Sequence, residues 1–231
     1  MSDPHPLDNI IWASLVSHHA RLAEGADVGA GTARRYPADV NLFYGVERCD
    51  DRGWSDLHVL AGDGANLVLF RDEIGELPTG WTDVFHGPGY QMVLERLADT
   101  RPADIRPLSA DDVPAMLALT EATKPGPFFA RTNSMGDYFG VFDDGVLVAM
   151  AGERCRAAGW SEISAVCTAE SARGRGLAST LTAHVARHIE ARGEQPMLHV
   201  AGNNDTARHV YERLGFVTRR MTIFAMLCTP V

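Results

Sequence analysis

Residues 160–178 contain the side chains in this sequence with the clearest potential for chemistry. A strand-like run, Glu162 to Thr168, leads into Arg173-Gly174-Arg175-Gly176, a turn rich in glycine and arginine. Apolar residues recur at every fourth position from Leu177 onward, which predicts a helix. The first amides of a helix lack intrahelical acceptors and lie at the positive end of its dipole, and glycine lets an anion approach the backbone closely. The sequence therefore predicts a phosphate-binding turn between this strand and this helix.

Three further side chains could move protons. Glu162 stands near the start of the predicted strand and would be a useful base if partial burial raised the pKa of its carboxyl group; the alternative is a solvent-exposed glutamate at the strand end. His199, in the next predicted strand, is a competing base, although a lone strand histidine is more often a hydrogen-bonded core residue. Tyr211 follows Asn204 by seven residues in a predicted helix over 205–214, so the two side chains share nearly one helix face.

Together these segments resemble the GNAT N-acetyltransferase superfamily. Residues 173–178 match its Gln/Arg-x-x-Gly-x-Gly/Ala phosphate-binding pattern. Glu162 precedes that pattern by eleven residues, which is the offset of the general-base glutamate in several members. A second motif on the cofactor side is also matched, by Asn204-Asp205-Thr206-Ala207, Tyr211 and Leu214-Gly215-Phe216. The resemblance covers roughly residues 104–227 and is not claimed for the first hundred residues.

The resemblance implies transfer of an acetyl or short acyl group from acetyl-CoA to a primary amine, by direct attack in a ternary complex and without a metal. Glu162 would be the base, Tyr211 the acid that protonates the leaving thiolate, and a main-chain N–H of Val166 or Cys167 the oxyanion donor. The pyrophosphate would bind the turn, and the pantetheine arm would extend along the strand. The cofactor-binding residues implied are Val166, Cys167, Thr168, Arg173, Gly174, Arg175, Gly176, Leu177, Ala178, Asn204, Ala207 and Tyr211.

Several alternatives compete with this interpretation. A non-catalytic acyl-CoA-binding sensor would keep the phosphate turn but would need neither Glu162 nor Tyr211. A dinucleotide-binding turn is disfavoured, because the third glycine of Gly-x-Gly-x-x-Gly is missing and Glu194 precedes its strand instead of ending it. Cys167 could form an acetyl-enzyme, but no histidine is near it in sequence, which favours a small core residue.

One pair of histidines resembles metal ligands, but only in its spacing. His184 and His188 have the i,i+4 spacing of a metal-binding pair, but the glutamate of His-Glu-x-x-His and a third ligand are missing from the pattern. We therefore expect them on a solvated flank of the helix, and we expect the same for His18 and His19. The sequence predicts no metal site.

The predicted elements after residue 102 follow the GNAT order of strand, helix, hairpin, strand, helix, strand, helix and strand. The first of these helices is capped by Ser109 and ends near Lys124, before Pro125, and Gly193 closes the helix that follows the glycine-rich turn. We predict an α/β GNAT acetyltransferase fold, a mixed central sheet flanked by helices, for residues 102–231. A smaller α/β subdomain, residues 1–101, precedes it; this unit is either a degenerate acetyltransferase-like half or a wall of the acceptor pocket. Its predicted elements include a helix over 7–23, strands over 66–70 and 81–85, and a strand or another short element over 90–97.

The composition limits the partners. Hydrophobic residues make up 45% and charged residues 22% of the 231 residues, as in soluble globular proteins. The formal net charge of −9 argues against a nucleic-acid partner, while Arg173, Arg175 and Arg208 could concentrate positive charge locally. No membrane span or secretion signal is recognisable and the four cysteines are scattered, so we expect a cytoplasmic protein with free thiols. The acceptor, a small-molecule or peptide amine, and the choice between monomer and homodimer stay open.

Overall fold

The computed structural model describes residues 5–231, in which helices are interspersed with single strands and with runs of two or three strands. The α-helices are α1 (Ile10–Leu15), α2 (Asp51–Ala61), α3 (Val113–Thr123), α4 (Leu177–Ala191) and α5 (Asp205–Leu214). The strands are β1 (Ala33–Arg35), β2 (Tyr44–Val46), β3 (Asn66–Arg71), β4 (Thr82–Leu94), β5 (Arg106–Leu108), β6 (Tyr138–Asp143), β7 (Val146–Ala157), β8 (Trp160–Thr168), β9 (Gln195–Ala201) and β10 (Phe216–Cys228). Within residues 5–231, no helix is both long enough and apolar enough to cross a membrane.

Eight strands form one sheet in the order β3-β10-β4-β9-β8-β7-β6-β5, and β1 and β2 form a separate antiparallel ribbon. β8 and β9 run parallel, while the other neighbouring strands of the sheet run antiparallel. The sheet is therefore mixed, and helices pack against it. This architecture confirms the predicted α/β fold.

Helix α4 buries the apolar stripe that the sequence predicts. Leu181, Val185 and Ile189, spaced by four residues, are completely buried in the core between α4 and the sheet. Burial of each such side chain stabilises a fold by about 1.5–3 kcal/mol. Gly193 follows the helix in the left-handed conformation, with φ of +77°, as predicted for a residue that closes a helix. The stripe fixes α4 on the sheet and thereby holds its N-terminus at the end of β8.

Helix α3 begins and ends where the sequence predicts. Ser109 and Asp112 form a capping box in the turn that leads into the helix. Lys124 adopts a left-handed conformation with φ of +48° and ends the helix immediately before Pro125. The chain therefore turns at Pro125, a residue that lines both cavities described below.

Strand β4 runs without interruption through Gly87-Pro88-Gly89, where the sequence predicts a gap between two strands (81–85 and 90–97). The prediction divides the strand there because proline seldom occurs inside a sheet. Pro88 is accommodated because the register with β9 begins only at Gly89, so no amide is required of Pro88 on that side; its carbonyl accepts from the Gly202 amide at 2.8 Å.

Strands from the first hundred residues belong to the main sheet. β3 pairs with β10, and β4 lies between β9 and β10. One sheet thus contains strands from both sides of the boundary that the sequence predicts between residues 101 and 102. The division into units 1–101 and 102–231 stays a prediction.

The first helix is shorter than the sequence predicts, because the chain leaves the α-helical path at Leu15 and continues in turns through Leu22. The prediction of a solvated flank is wrong for His19, which is buried. Its Nδ1 lies 3.0 Å from the Ser14 hydroxyl and 2.9 Å from the Tyr36 hydroxyl. Burial lowers the pKa of His19 to about 4, so the ring is neutral and holds the turn in place.

Candidate active site

Strands β8 and β9 pair only over their first residues. Their parallel register stops at Ile163 and Leu198. On the other side of β8, the register with β7 skips Ala165 and Val166, and Ala165 has φ of +53°, which marks a β-bulge. Val166 therefore has a Cα partner on neither neighbouring strand. Beyond this point, residues of β8 and of β9 line cavities instead of pairing with each other.

The turn between β8 and α4 presents amides without partners. Gly174 and Gly176 are left-handed, with φ of +79° and +77°, and a Cβ atom at either position would meet open space. Gly176 is the N-cap of α4 and supplies no side chain to cap it. Within the described residues, none of the amides from Gly174 to Ser179 donates to a backbone or side-chain acceptor. The helix terminus thus has the arrangement that binds phosphate groups.

The three arginines predicted to concentrate positive charge differ in their partners. Arg175 is paired with Asp143, with Nη2 3.2 Å from Oδ1. Arg208 is paired with Asp205, at 2.9 Å. Arg173 makes no ion pair with any residue in the described part of the chain, and it lines the cavity beside the turn. Of the three, Arg173 therefore has the charge most available to a bound anion.

A cavity of about 360 Å³, here called the β8 cavity, lies between β8, the residues after α3 and the start of α5. It brings together most of the residues predicted to bind the cofactor, namely Val166, Cys167, Thr168, Arg173, Ala178, Asn204, Ala207 and Tyr211. Gly174 and Gly176 line a neighbouring cavity of about 420 Å³. Arg175 is exposed beside Asp143, and Leu177 is buried in the core, so neither lines the β8 cavity.

Tyr211 extends from α5 into the β8 cavity with 8% of its surface exposed. Its hydroxyl group makes no hydrogen bond to another residue in the range 5–231. Burial, and to a smaller extent the neighbouring Cys167, raise the pKa of Tyr211 to about 12. The phenol therefore stays protonated at neutral pH and is able to donate a hydrogen bond into the cavity. Asn204, in contrast, caps α5, because its Oδ1 accepts from the Ala207 amide at 3.1 Å.

Cys167 is a buried thiol on the wall of the same cavity. Burial raises its pKa to about 11, against smaller opposing effects of hydrogen bonds with Thr123 and Met150. The thiolate is the nucleophilic form of cysteine, and it is scarce at neutral pH for such a group. This environment favours a packing residue over a covalent acetyl carrier.

Glu162 lies in the interior and lines none of the cavities described here; its exposed fraction is 0%. Arg154 of β7 donates to both carboxylate oxygens, with Nε 2.9 Å from Oε2. His199 of β9 places its Nδ1 2.7 Å from Oε1. Burial alone would raise the pKa of Glu162, but Arg154 and His199 outweigh burial and hold it well below its usual range. The raised pKa that would make Glu162 a useful base is therefore absent, because a guanidinium group pairs with the carboxylate.

His199 lies between Glu162 and a cavity: its ring lines that cavity, and its Nδ1 donates to the Glu162 carboxylate. The side-chain amide of Gln91 donates to the Leu7 carbonyl at 2.8 Å, and its oxygen accepts from Arg219 at 2.8 Å. This orientation directs the other Gln91 N–H to Nε2 of His199, at 3.1 Å, so Nε2 carries a lone pair and the ring proton is on Nδ1. Burial lowers the pKa of His199, although Glu162 opposes the effect. The ring is therefore neutral at pH 7.

A larger cavity, of about 630 Å³, opens beside the end of β9. Its aromatic walls are Phe43, Phe70, Phe85 and Phe224, and Arg154 and His199 supply polar groups, so it is here called the phenylalanine cavity. Pro125 lines this cavity and the β8 cavity, and the adjacent residues Asn203 and Asn204 line one each. The two cavities therefore meet near the point where β8 and β9 diverge.

Sequence patterns alone do not indicate that Arg154, Gln91 and the four phenylalanines belong to the site. Arg154 lies on the strand of the predicted hairpin next to Glu162, and a search for cations on strands that flank a candidate carboxylate would have found it. Gln91 and Phe70 come from the first hundred residues, where the sequence offers no motif. Their role depends on β3 and β4 joining the main sheet, which the sequence does not indicate.

His184 and His188 lie apart from both cavities, on a half-buried flank of α4 against Phe139, with ring centroids 4.5 and 5.0 Å away. The His188 side chain, Asp137 and Glu153 lie close enough to share an ion. Arg192, however, pairs with the Glu153 carboxylate at 2.7 and 2.8 Å, so a cation already offsets that charge. The flank is thus less solvated than the sequence predicts.

Known proteins resemble both the sequence and the fold of this chain. The FR47-like protein family matches residues 138–225. A solved structure described as an acetyltransferase of the GNAT family, from Novosphingobium aromaticivorans, shares 35% sequence identity over 99% of this chain and 100% of its own, with a TM-score of 0.87. A GCN5-related N-acetyltransferase from Kribbella flavida is 20% identical over 96% of this chain and 95% of its own, with a TM-score of 0.64, and shows the fold alone. No curated protein sequence matches the chain significantly.

The match to the Novosphingobium protein extends over essentially the whole chain, including the first hundred residues. The family match falls within the part of the chain that carries the phosphate-binding turn and Tyr211. The chain belongs to the GNAT family of acetyltransferases.

Proposed function

We propose that the protein transfers an acetyl or short acyl group from acetyl-CoA to the nitrogen of a primary amine. The observation that carries the proposal is the unpartnered helix terminus of α4 beside the β8 cavity, which Arg173 and Tyr211 line. A diphosphate would accept from the amides of residues 174–179 and from Arg173. The pantetheine arm would then lie along Val166–Thr168 of β8, in the gap that β9 leaves.

Within this proposal, attack requires a base, and His199 suits this role better than Glu162. Glu162 has both oxygens engaged, a lowered pKa and no access to a cavity. His199 is neutral, lines the phenylalanine cavity and has its lone pair on Nε2. An amine N–H would replace Gln91 as the donor to Nε2, and Gln91 would keep its bond to Leu7. Glu162 then orients the ring and stabilises the imidazolium that forms.

The chemical step forms a C–N bond and breaks the C–S bond of the thioester. The amine proton passes to Nε2 of His199. The oxyanion of the tetrahedral intermediate accepts a hydrogen bond from the main-chain N–H of Val166 or Cys167, next to the bulge. The departing sulfur accepts a hydrogen bond from Tyr211 and leaves as a thiolate, which takes a proton from water, while the imidazolium of His199 returns its proton to water.

A thiol-release assay with a panel of primary amines tests this function directly. Acetyl-CoA should be consumed only when an amine is present, and the product should be the N-acetylated amine by mass spectrometry. A non-catalytic acyl-CoA-binding sensor is the second candidate, since it needs only the phosphate turn. Cofactor binding without turnover of any amine would favour the sensor, whereas the neutral His199 and the protonated Tyr211 favour catalysis.

Gly176→Val is expected to weaken acetyl-CoA binding by about tenfold or more. Gly176 has φ of +77°, which a β-branched residue adopts only with strain, and the new side chain would project toward the phosphate position. Calorimetric titration of coenzyme A measures the effect. Gly193→Val provides the matched control, because Gly193 has the same φ of +77° and open space around it but ends α4 instead of starting it. Equal affinity in the two variants would remove the phosphate-binding role from the turn.

Glu162→Gln is expected to move the acidic limb of the kcat profile to lower pH without abolishing it. A basic His199 must be neutral, so kcat falls as the pH drops through the pKa of His199, which lies below its ordinary value. Glu162 raises that pKa, and its replacement by an uncharged amide lowers the pKa further. Complete loss of the limb in this variant would instead identify Glu162 as the base. Thermal unfolding should be compared first, because Arg154 loses its carboxylate partner.

A further inference from the structure

The walls of the phenylalanine cavity are aromatic and in mutual contact. The ring of Phe224 lies 6.1 Å from that of Phe70 and 6.4 Å from that of Phe85, and Phe85 is 58% exposed. Aromatic surface facing solvent usually marks a binding site. The volume of about 630 Å³ lies within the usual range for small-molecule sites, roughly 300–1,000 Å³. These walls favour a ligand with an aromatic or large apolar body.

The same cavity lacks the groups that a polycation needs. None of its described lining residues is aspartate or glutamate. The nearest buried carboxylate, Glu162, is neutralised by Arg154 and bonded to His199. A polyamine or an aminoglycoside would carry several ammonium groups into a site without a negative partner for them, at a large desolvation cost. A single primary amine that enters in its neutral form and donates an N–H to Nε2 of His199 avoids that cost.

Arg154 has one edge left for a ligand. Its Nε and Nη2 donate to Glu162, and the Phe43 ring centroid lies 5.0 Å from its Cζ. Nη1 has no hydrogen-bond partner among residues 5–231, and Arg154 lines the cavity. A guanidinium held on two sides is pre-organised to donate to an oxygen at its third edge.

We propose that the acceptor is an aromatic or large apolar primary amine with a carboxylate or carbonyl oxygen next to the amine, as in an aromatic α-amino acid or its amide. The inference rests on the proposed function and names the acceptor of the same site. The ring lies among Phe70, Phe85 and Phe224, the oxygen accepts from Nη1 of Arg154, and the amine donates to Nε2 of His199. One ligand of this size thus contacts the apolar walls and bonds to both Arg154 and His199.

A panel of amines at saturating acetyl-CoA tests the proposal on the unmodified protein. Phenylalanine and phenylalaninamide represent the two kinds of oxygen, phenethylamine lacks the oxygen, and lysine and spermidine are polar or polycationic. We expect kcat/KM for phenylalanine or phenylalaninamide to exceed that for phenethylamine by at least about tenfold, the effect of one charge-assisted hydrogen bond. We expect kcat/KM for phenylalanine and for phenylalaninamide to exceed that for lysine or spermidine by a larger factor. The ratio between phenylalanine and its amide shows whether the oxygen is a carboxylate or a carbonyl.

Phe85→Ala and Val84→Ala form a matched pair of variants on β4. Both residues are about half exposed, at 58% and 50%, but only Phe85 lines the cavity. Phe85→Ala should raise KM for phenylalaninamide about five- to tenfold through loss of an aromatic contact, and Val84→Ala should leave it unchanged. Both variants should bind coenzyme A as the unmodified protein does.

The possible results distinguish an error in the proposed acceptor from an error in the proposed reaction. Faster acetylation of spermidine or lysine than of the aromatic amines would overturn the acceptor proposal and leave acetyl transfer intact. If no amine is acetylated, calorimetry on the coenzyme A complex decides. Binding of phenylalaninamide without turnover would support the acceptor and overturn the reaction, and absence of binding would overturn the acceptor.

Discussion

His199→Gln is expected to lower kcat by about 10²- to 10⁴-fold, the usual contribution of a general base, with little change in affinity for acetyl-CoA. His199 and Arg154 both contact Glu162 and line the phenylalanine cavity, but only His199 has a lone pair that can accept a proton. A glutamine at this position would still donate to the carboxylate, but it would not take a proton from the amine. The rate should therefore fall at every pH, and the acidic limb of the kcat profile should disappear.

His184→Gln is the control for that experiment. The rings of His184 and Phe139 form a T-shaped pair with centroids 4.5 Å apart, much like the rings of His199 and Phe70 at 4.2 Å. His184, however, lines neither cavity. Its replacement should leave kcat within about twofold of the unmodified protein. Full activity in His199→Gln, with His184→Gln also active, would show that another group or water removes the proton.

The contrast between Glu162 and His199 shows which properties of the site can be predicted from the sequence. Spacing along the chain correctly places Glu162 on β8 upstream of the phosphate turn, because a strand and its following turn are local structures. The state of its carboxyl group depends on Arg154 and His199, which come from the two flanking strands. A pKa is set by such non-local neighbours, so no motif around Glu162 could have given its direction.

The first hundred residues illustrate the same limit at the level of the fold. Local patterns predict β3 within a residue, but they divide β4 at Pro88 and do not indicate that β4 lies between β9 and β10. Sheet order is decided by long-range burial and pairing, to which a single strand's sequence contributes little. This insertion is what brings Gln91 to His199 and Phe70 to the wall of the phenylalanine cavity. The phosphate turn could be predicted because all its parts lie within about ten residues, whereas the acceptor side could not.

Tyr211→Phe is expected to lower kcat by about 10- to 100-fold while the affinity for coenzyme A changes by less than about threefold. The pKa of Tyr211, raised to about 12 by burial and by Cys167, keeps the phenol protonated. Transfer of its proton to a thiolate whose conjugate thiol has a pKa near 8.5 is uphill, so its main effect is a hydrogen bond that strengthens as charge develops on sulfur. Hydrogen bonds to charged groups contribute about 1.5–3 kcal/mol, which corresponds to the expected loss in rate. Because phenylalanine fills the same space, the packing of α5 should be retained.

Tyr90→Phe is the matched control, since Tyr90 lies near α5 with its ring 5.0 Å from Cζ of Arg208 but lines neither cavity. Its replacement should leave kcat unchanged. A further comparison uses thioesters with leaving groups of different acidity: the deficit of Tyr211→Phe should shrink as the leaving thiol becomes more acidic, because a stable thiolate needs less help. A deficit that is independent of the leaving group would mean that Tyr211 positions the cofactor and does not stabilise the sulfur. The role of the phenol would then be limited to the shape of the β8 cavity.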